Sequence, residues 1–308
     1  MTAEQAPAQQ SPLNWAVVTP SYDLDFERCR LLCRSMDAFL TGPWHHYIIV
    51  DPVDLARFQP LAGPRRTVIN KKNILPKGFH YGGKVPFMRL GRWWWSFRHG
   101  PVFGWQMQQF VKIFMANHLT EEAILFCDSD LFFLKPFDVT NLGKDGKIRF
   151  NIVQDAPVAT NSDVLGSIAL MGVDPQKVRS HWGADQLVTW HRPTVLAMQD
   201  FITRQNGKPW HEAIGKKINF AEYHLYGTYV LYVDTDNPHL FMDSTVRCKT
   251  MWSKESAEAT TLQEFCAHLQ PHEVAVCVQS LIGADIASSA AIVDAAMAGK
   301  LTPHSAKK

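Results

Sequence analysis

The sequence lacks the features that define several large protein classes. None of its six cysteines (29, 33, 127, 248, 266 and 277) forms a Cys-x-x-Cys pair. A chain of 308 residues buries enough apolar surface to fold without covalent staples. Reduced thiols are therefore expected, with Cys29 and Cys33, one helical turn apart, in the core. No window of 18 uninterrupted apolar residues occurs, so no membrane span is expected. The opening MTAEQAPAQQSPLN has neither the basic segment nor the apolar core of a secretory signal, and residues 1–13 read as a disordered leader. Neither sign of charge dominates: 31 Lys and Arg face 29 Asp and Glu, and the net charge is +2. No global field calls for nucleic acid or an anionic membrane. There is no internal repeat, and no Gly-rich phosphate loop follows the first apolar run. A cytoplasmic protein is expected, touching a membrane peripherally at its inner face at most, with no nucleic-acid partner. Tryptophan, in contrast, is abundant, with ten residues. Trp is hard to bury fully and suits stacking on flat ligands and sugar rings.

The hydrophobic pattern alternates between two periods. WAVVTPSY (15–22) reads as a buried strand ending in a turn. Residues 25–40 place Phe26, Cys29, Leu32, Cys33, Met36 and Phe39 at helical spacing, with Gly42 and Pro43 as the stop. HHYIIVD (45–51) is a second strand ending in an acid, VDLARFQPL a short helix, and RTVIN a third strand. Strand, helix, strand, helix, strand predicts a doubly wound α/β sheet. Residues 71–105 are rich in Gly, Pro, Lys, Arg and aromatics and show no clear period, which predicts a long functional loop. Its Lys71, Lys72, Lys77, Lys84, Arg89, Arg92 and Arg98 are candidates to steer an anionic ligand, and Trp93-Trp94-Trp95 cannot all face one way. Helices are expected at 106–119, 194–205 and in TLQEFCAHL. Strands are expected at 148–155 and in EVAVCVQS. Residues 218–233 read as a short helix, a glycine break and a strand, and an Ala-rich helix closes the chain. One domain over 14–298, with a flexible tail at 299–308, accounts for the pattern.

The most informative segment is EEAILFCDSDLFFLKPFD (121–138). Asp128 stands where an apolar strand runs out, and Asp130 lies two residues on. In an open α/β sheet ligands bind beyond the carboxyl ends of the strands. Positions i and i+2 of an extended chain point the same way. Two carboxylates that close repel unless a cation lies between them. Hard divalent cations prefer oxygen ligands and are often shared with substrate phosphates. The pair predicts a site for Mn²⁺ or Mg²⁺ with a diphosphate, Ser129 lying between the two ligands.

ILFCDSDLFFLKPF resembles the Asp-x-Asp segment of nucleotide-sugar-dependent glycosyltransferases of the GT-A fold. With VVTPSY, the QQFVKI helix and FAEYHLYGTY in the same order, the chain is similar over roughly 14–285 to a bacterial glycosyltransferase-like set, DUF6492. The resemblance implies a GT-A-like (Rossmann-like), mostly parallel mixed sheet flanked by helices. It also implies a nucleotide-diphosphate-sugar donor, and by analogy an acceptor that is a glycan or lipid-linked, as in cell-surface glycan synthesis. It places base and ribose at Thr19, Pro20, Ser21 and Tyr22. It suggests Glu222, with Asp155 second, as the acid that meets the acceptor hydroxyl. Such enzymes often add a downstream histidine to the metal, and His239 is the choice here.

The remaining candidates come from the residues themselves. Asp51, at the end of the second strand, could accept from a base or ribose. Gln109 and Lys112 share one helix face, and an inward Lys112 needs an anionic partner such as Asp128 or a phosphate. Trp190, His191 and Arg192, between a loop and a helix, could touch acceptor or phosphate. Two other readings stay open: a nucleotidyltransferase, and a non-catalytic sugar-binding protein of the same fold.

Overall fold

Three parallel strands, each buried along most of its length, form the centre of the computed structural model. The structure describes residues 13–84, 92–153, 162–183, 185–215, 219–253, 260–283 and 285–301. β1 (Trp15–Pro20) is buried at all six positions. It pairs in parallel with β2 (Trp44–Val50) on one side, and β2 with β3 (Arg66–Asn70). On its other side β1 pairs in parallel with β7 (Ala123–Phe126). Strands buried on both faces read as continuous apolar runs, which is why WAVV and AILF are legible. β10 (Val188–His191) closes this edge antiparallel to β7, giving the order β10-β7-β1-β2-β3.

Helices cover the sheet. α1 (Phe26–Phe39) buries Cys29, Leu32, Cys33 and Met36, and all six cysteines are free and buried. α2 (Gly104–Met115) turns Met107, Phe110, Val111 and Phe114 to the core. α3 (Ser162–Leu170) buries Val164 and Ile168, and α4 (Arg192–Asn206) starts with Pro193 in its first turn and stops at Gly207, whose φ of 63° suits glycine. Smaller sheets flank the centre. β8 (Leu131–Phe133) joins β12 (Cys248–Met251) and β13 (Ala275–Val278), and β9 (Lys147–Val153) pairs with β11 (Leu240–Asp243). α6 (Leu262–Ala267) opens on a Thr261–Glu264 capping box, and α7 (Ile286–Met297) on Asp285.

Two expectations change. The supposed loop at 71–105 contains an antiparallel sheet of β4 (His80–Lys84), β5 (Arg92–Ser96) and β6 (Gly100–Phe103). Its three tryptophans alternate: Trp94 is buried, while Trp93 and Trp95 are half-buried on the other face. Trp93 lies across Gly82, where a Cβ would come within 2.2 Å of the ring, so only glycine fits. Residues 218–233 do not break at Gly227 either; one helix, α5 (Glu222–Tyr232), runs through it. Leu225, Tyr226, Tyr229 and Val230 bury on its core side, and packing outweighs the local glycine penalty. Among the described residues no helix is long and apolar enough to cross a membrane. The expected leader, residues 1–13, lies outside the described residues except for Leu13, and so does the tail beyond Leu301.

Candidate active site

The apolar run of β7 ends at Phe126, and the chain turns at once. Leu131 N donates to Asp128 O at 3.1 Å, so the carboxylate pair sits in a tight turn and not on extended backbone. The turn sends the two carboxylates to different partners. Asp128 meets Lys112 of α2, with Nζ 3.0 Å from Oδ1 and 3.3 Å from Oδ2. Asp130 reaches the end of β13, where its Oδ2 accepts from Ser280 N at 3.1 Å and its Oδ1 from Cys277 Sγ at 3.5 Å. Burial, and after it the nearby Asp128 charge, push the Asp130 carboxyl up to about 6 against those two donors. Ser129 is buried between them, its Oγ donating to Ser21 Oγ at 2.9 Å.

Lys112 is buried, and its ammonium is held by three groups. Besides Asp128 they are Glu222 Oε1 at 3.0 Å and Tyr223 Oη at 2.6 Å. Burial opposes the charge, but Asp128, Tyr223 and Glu222 outweigh it and hold the ammonium well above its ordinary value. Burial likewise keeps the Tyr223 phenol protonated. Its oxygen accepts from Lys112, so its own hydrogen is left to donate. Glu222 is the first residue of α5 and is itself buried; its backbone N–H donates to Gln109 Oε1 at 3.1 Å. That bond fixes the amide of Gln109, whose Nε2 is buried and has no partner among the described residues.

These residues line a cleft of about 580 Å³ at the carboxyl ends of β1, β2 and β7. Pro20, Ser21, Tyr22 and Asp25 form its rim on the β1 side, and Trp182, Gln186, Trp252, Gln279 and Ser280 line it as well. Asp51 reaches the cleft with both carboxylate oxygens already paired. Its Oδ1 accepts from Lys71 Nζ at 2.7 Å and Trp94 Nε1 at 3.0 Å, its Oδ2 from Arg92 at 3.3 Å. Arg92 also binds Asp54 at 2.8 Å and Asp23 at 2.9 Å. Of the basic residues expected to steer an anion, Lys71 and Arg92 therefore arrive already neutralised. Arg98 pairs with Glu212 at 2.8 Å, and Arg89 lies outside the described residues. Among the described lining residues, Asp25, Asp51, Asp128, Asp130 and Glu222 oppose only Lys71, Arg92 and Lys112. The cleft carries an excess of carboxylate.

Other expected residues do not come to the cleft. Thr19 is buried beneath it and donates to Cys127 O at 2.6 Å, tying β1 to the turn. β10 is antiparallel to β7, with His191 opposite Ala123 at the start of that strand. Trp190, His191 and Arg192 are therefore carried away from Asp128. Trp190 is buried and stacked on Tyr226 at 4.9 Å. His191 bonds Thr194 at 2.8 Å, and Arg192 Nε donates to Ala116 O at 2.8 Å. His239 stacks on His191 at 4.6 Å and is not near the carboxylate pair. Burial, and then the neighbouring His239, push His191 down to about 4. Asp155 lies outside the described residues. Conversely, Asp25, Trp105, Trp182, Tyr223, Trp252, Gln279 and Ser280 were not picked out in the sequence. A signal existed for Trp105, which is four residues before Gln109 and seven before Lys112 on one helix face.

Two half-buried carboxylates beside neutral oxygen donors of Ser129, Gln279 and Ser280 suit a hard divalent cation. Among the described residues no three His, Cys, Asp or Glu side chains converge on one point, so a bound ion would complete its shell from neutral oxygens and ligand.

The profile of a family of unknown function, DUF6492, matches residues 15–298. No curated protein matches the sequence. Among solved structures, the crystal structure of an active-site mutant of LgtC superposes with a TM-score of 0.51 at 9% identity, covering 91% of this chain and 95% of that one. Mouse xyloside xylosyltransferase 1 in its apo form gives 0.46 at 8% identity over 86% of this chain and 97% of that one. The galactosyltransferase LgtC with donor and acceptor sugar analogs gives 0.46 at 8% over 91% and 95%. At such identities the first likeness speaks for the fold, which is the GT-A fold.

Proposed function

The chain belongs to the DUF6492 family, and from that membership, the GT-A fold and the chemistry of the cleft we propose that it is a metal-dependent glycosyltransferase. It moves a sugar from a nucleotide-diphosphate donor to an acceptor hydroxyl. The observation that carries this reading is the carboxylate excess around Asp128 and Asp130. A donor diphosphate adds negative charge to a cleft whose described lysines and arginine are already paired, and a divalent cation would neutralise it. Asp128 and Asp130 would hold Mn²⁺ or Mg²⁺. Such an ion supplies Lewis-acid neutralisation of the leaving diphosphate.

The chain's own residues then divide the work. Pro20, Ser21 and Tyr22 frame the nucleotide end, Tyr22 offering a ring for stacking. Asp51 acts indirectly, fixing Lys71 and Arg92 under that end. The Tyr223 hydroxyl is a donor for oxygens of the transferred sugar or the departing phosphate. Lys112 holds Asp128 and Glu222 in register. In an inverting transfer Glu222 is the group placed to take the acceptor proton.

The test is a melting-point screen of UDP, GDP and CDP with and without Mn²⁺, followed by donor hydrolysis across nucleotide sugars. At least one diphosphate should raise the melting point only with metal present. No change for all three would sink the reading.

A further inference from the structure

The α2 side of the cleft offers more surface than the donor chemistry uses. Helix α2 presents Trp105, Gln108, Gln109 and Lys112 to it, at the i, i+3, i+4, i+7 spacing of a single face. The stripe grades from wet to buried. Trp105 is 55% exposed, while Gln109 and Lys112 are buried, and Lys112 touches Asp128. Trp252, 52% exposed, lines the same cleft from the segment after β12. Two exposed indoles in one polar-floored cleft are an apolar surface that calls for a ligand. Among the described lining residues, the uncharged polar side chains include four amides: Gln108, Gln109, Gln186 and Gln279. Amides both donate to and accept from hydroxyls. Gln109 Nε2, buried and unpartnered among the described residues, is held facing such a ligand by the bond between its oxygen and Glu222 N.

We propose that the acceptor is a neutral glycan of at least two sugar rings, laid along α2, its reacting end at Lys112 and Asp128 and an outer ring stacked on Trp105. The inference rests on the glycosyltransferase reading. The seven steps from Trp105 to Lys112 span about 10 Å of helix axis, more than one ring covers. Neutrality follows from charge. Lys71, Arg92 and Lys112 are each paired with carboxylates at 2.7–3.3 Å, so an acidic or sulfated glycan would meet no free cation among the described lining groups. A flat indole suits the apolar face of a pyranose.

The experiment titrates tryptophan fluorescence and heat of binding with neutral mono-, di- and trisaccharides of glucose, galactose and N-acetylglucosamine. Heparin and oligosialic disaccharides serve as the anionic arm. Each titration is run with and without Mn²⁺ and nucleoside diphosphate. At least one neutral disaccharide should bind about tenfold tighter than its monosaccharide. Trp105→Ala should erase that gain, and Trp105→Tyr should restore part of it. The proposal is overturned if no neutral series gains with length, if anionic glycans bind more tightly, or if Trp105→Ala keeps the gain. A parent that takes no nucleoside diphosphate, whatever sugars it binds, overturns the transferase reading instead.

Discussion

The two ends of strand β7 treat their polar groups in opposite ways. At its start stand Trp190, His191, Arg192 and His239, a cluster of aromatic and basic groups that the sequence offers as a ligand site. Each is closed on the protein itself: Trp190 on Tyr226, His191 on His239 and Thr194, Arg192 on a backbone carbonyl. At its other end stand Asp128, Asp130, Lys112, Glu222 and Gln109. There carboxylates outnumber cations, Asp130 is pushed towards its protonated form, and an amide nitrogen is left over. What separates the two ends is whether the polar groups are satisfied from within, as at the start of the strand, or left with capacity for a ligand, as at its carboxyl end, where open α/β sheets bind ligands.

The sharpest way to break this contrast is Lys112→Met. Removing the cation leaves Glu222 buried without its partner, and urea unfolding should show a loss of about 3–5 kcal/mol. A loss below about 1 kcal/mol would mean that the cleft end does not depend on this buried cation. Asp128→Asn and Asp130→Asn address the ligand side. Each should fold, yet lose the Mn²⁺-dependent stabilisation by nucleoside diphosphate, worth about 2.7 kcal/mol at a hundredfold excess over Kd.

pH separates the two ends by sign. The Asp130 carboxyl is raised from 3.8 to about 6, so the metal-free folded state holds the extra proton in that window. Stability contributed there is present at low pH and lost as pH rises towards 6. His191 is lowered from 6.5 to about 4, so the unfolded chain binds the extra proton, and stability is lost as pH falls from 6.5 towards 4. Asp130→Asn should remove the first slope and His191→Asn the second, each at most about 2–3 kcal/mol by chemical unfolding across pH 4–7. Unchanged slopes in both variants would erase the distinction drawn between the ends. Smallest is Gly227→Ala. A Cβ there meets Phe150 at 3.4 Å and Trp182 at 3.5 Å, ordinary contact, so the gain in helix propensity should add up to about 1 kcal/mol to thermal stability.

Much of this molecule is legible along the chain because the forces involved are local. Runs buried on both faces mark β1, β2 and β7, and a helical stripe marks α1. A strand ending in Asp128 marks the mouth of the site. Glu222, Gln109 and Lys112 could be named as candidates, and the fold brings all three to the cleft beside Asp128. Other features were illegible for a physical reason. The strand RWWWS alternates visibly only once β4 and β6 lie beside it. Asp51 meets the cleft already paired with Lys71 and with Arg92, 41 residues away in sequence. Trp252 reaches the cleft through the pairing of β12 with β13.

The sequence by itself determined the sheet's buried strands, the helices between them and the carboxylate pair at a strand end. Periodicity and desolvation act within a few residues, so the order of the chain is enough to read them. Only the tertiary structure decided which polar groups are already satisfied. It sealed His191 and His239 against each other, set Asp130 in the lining of the cleft and left the Gln109 amide nitrogen without a partner among the described residues. Charge balance in a cleft is a sum over groups far apart in sequence, and that sum exists only after the chain has folded.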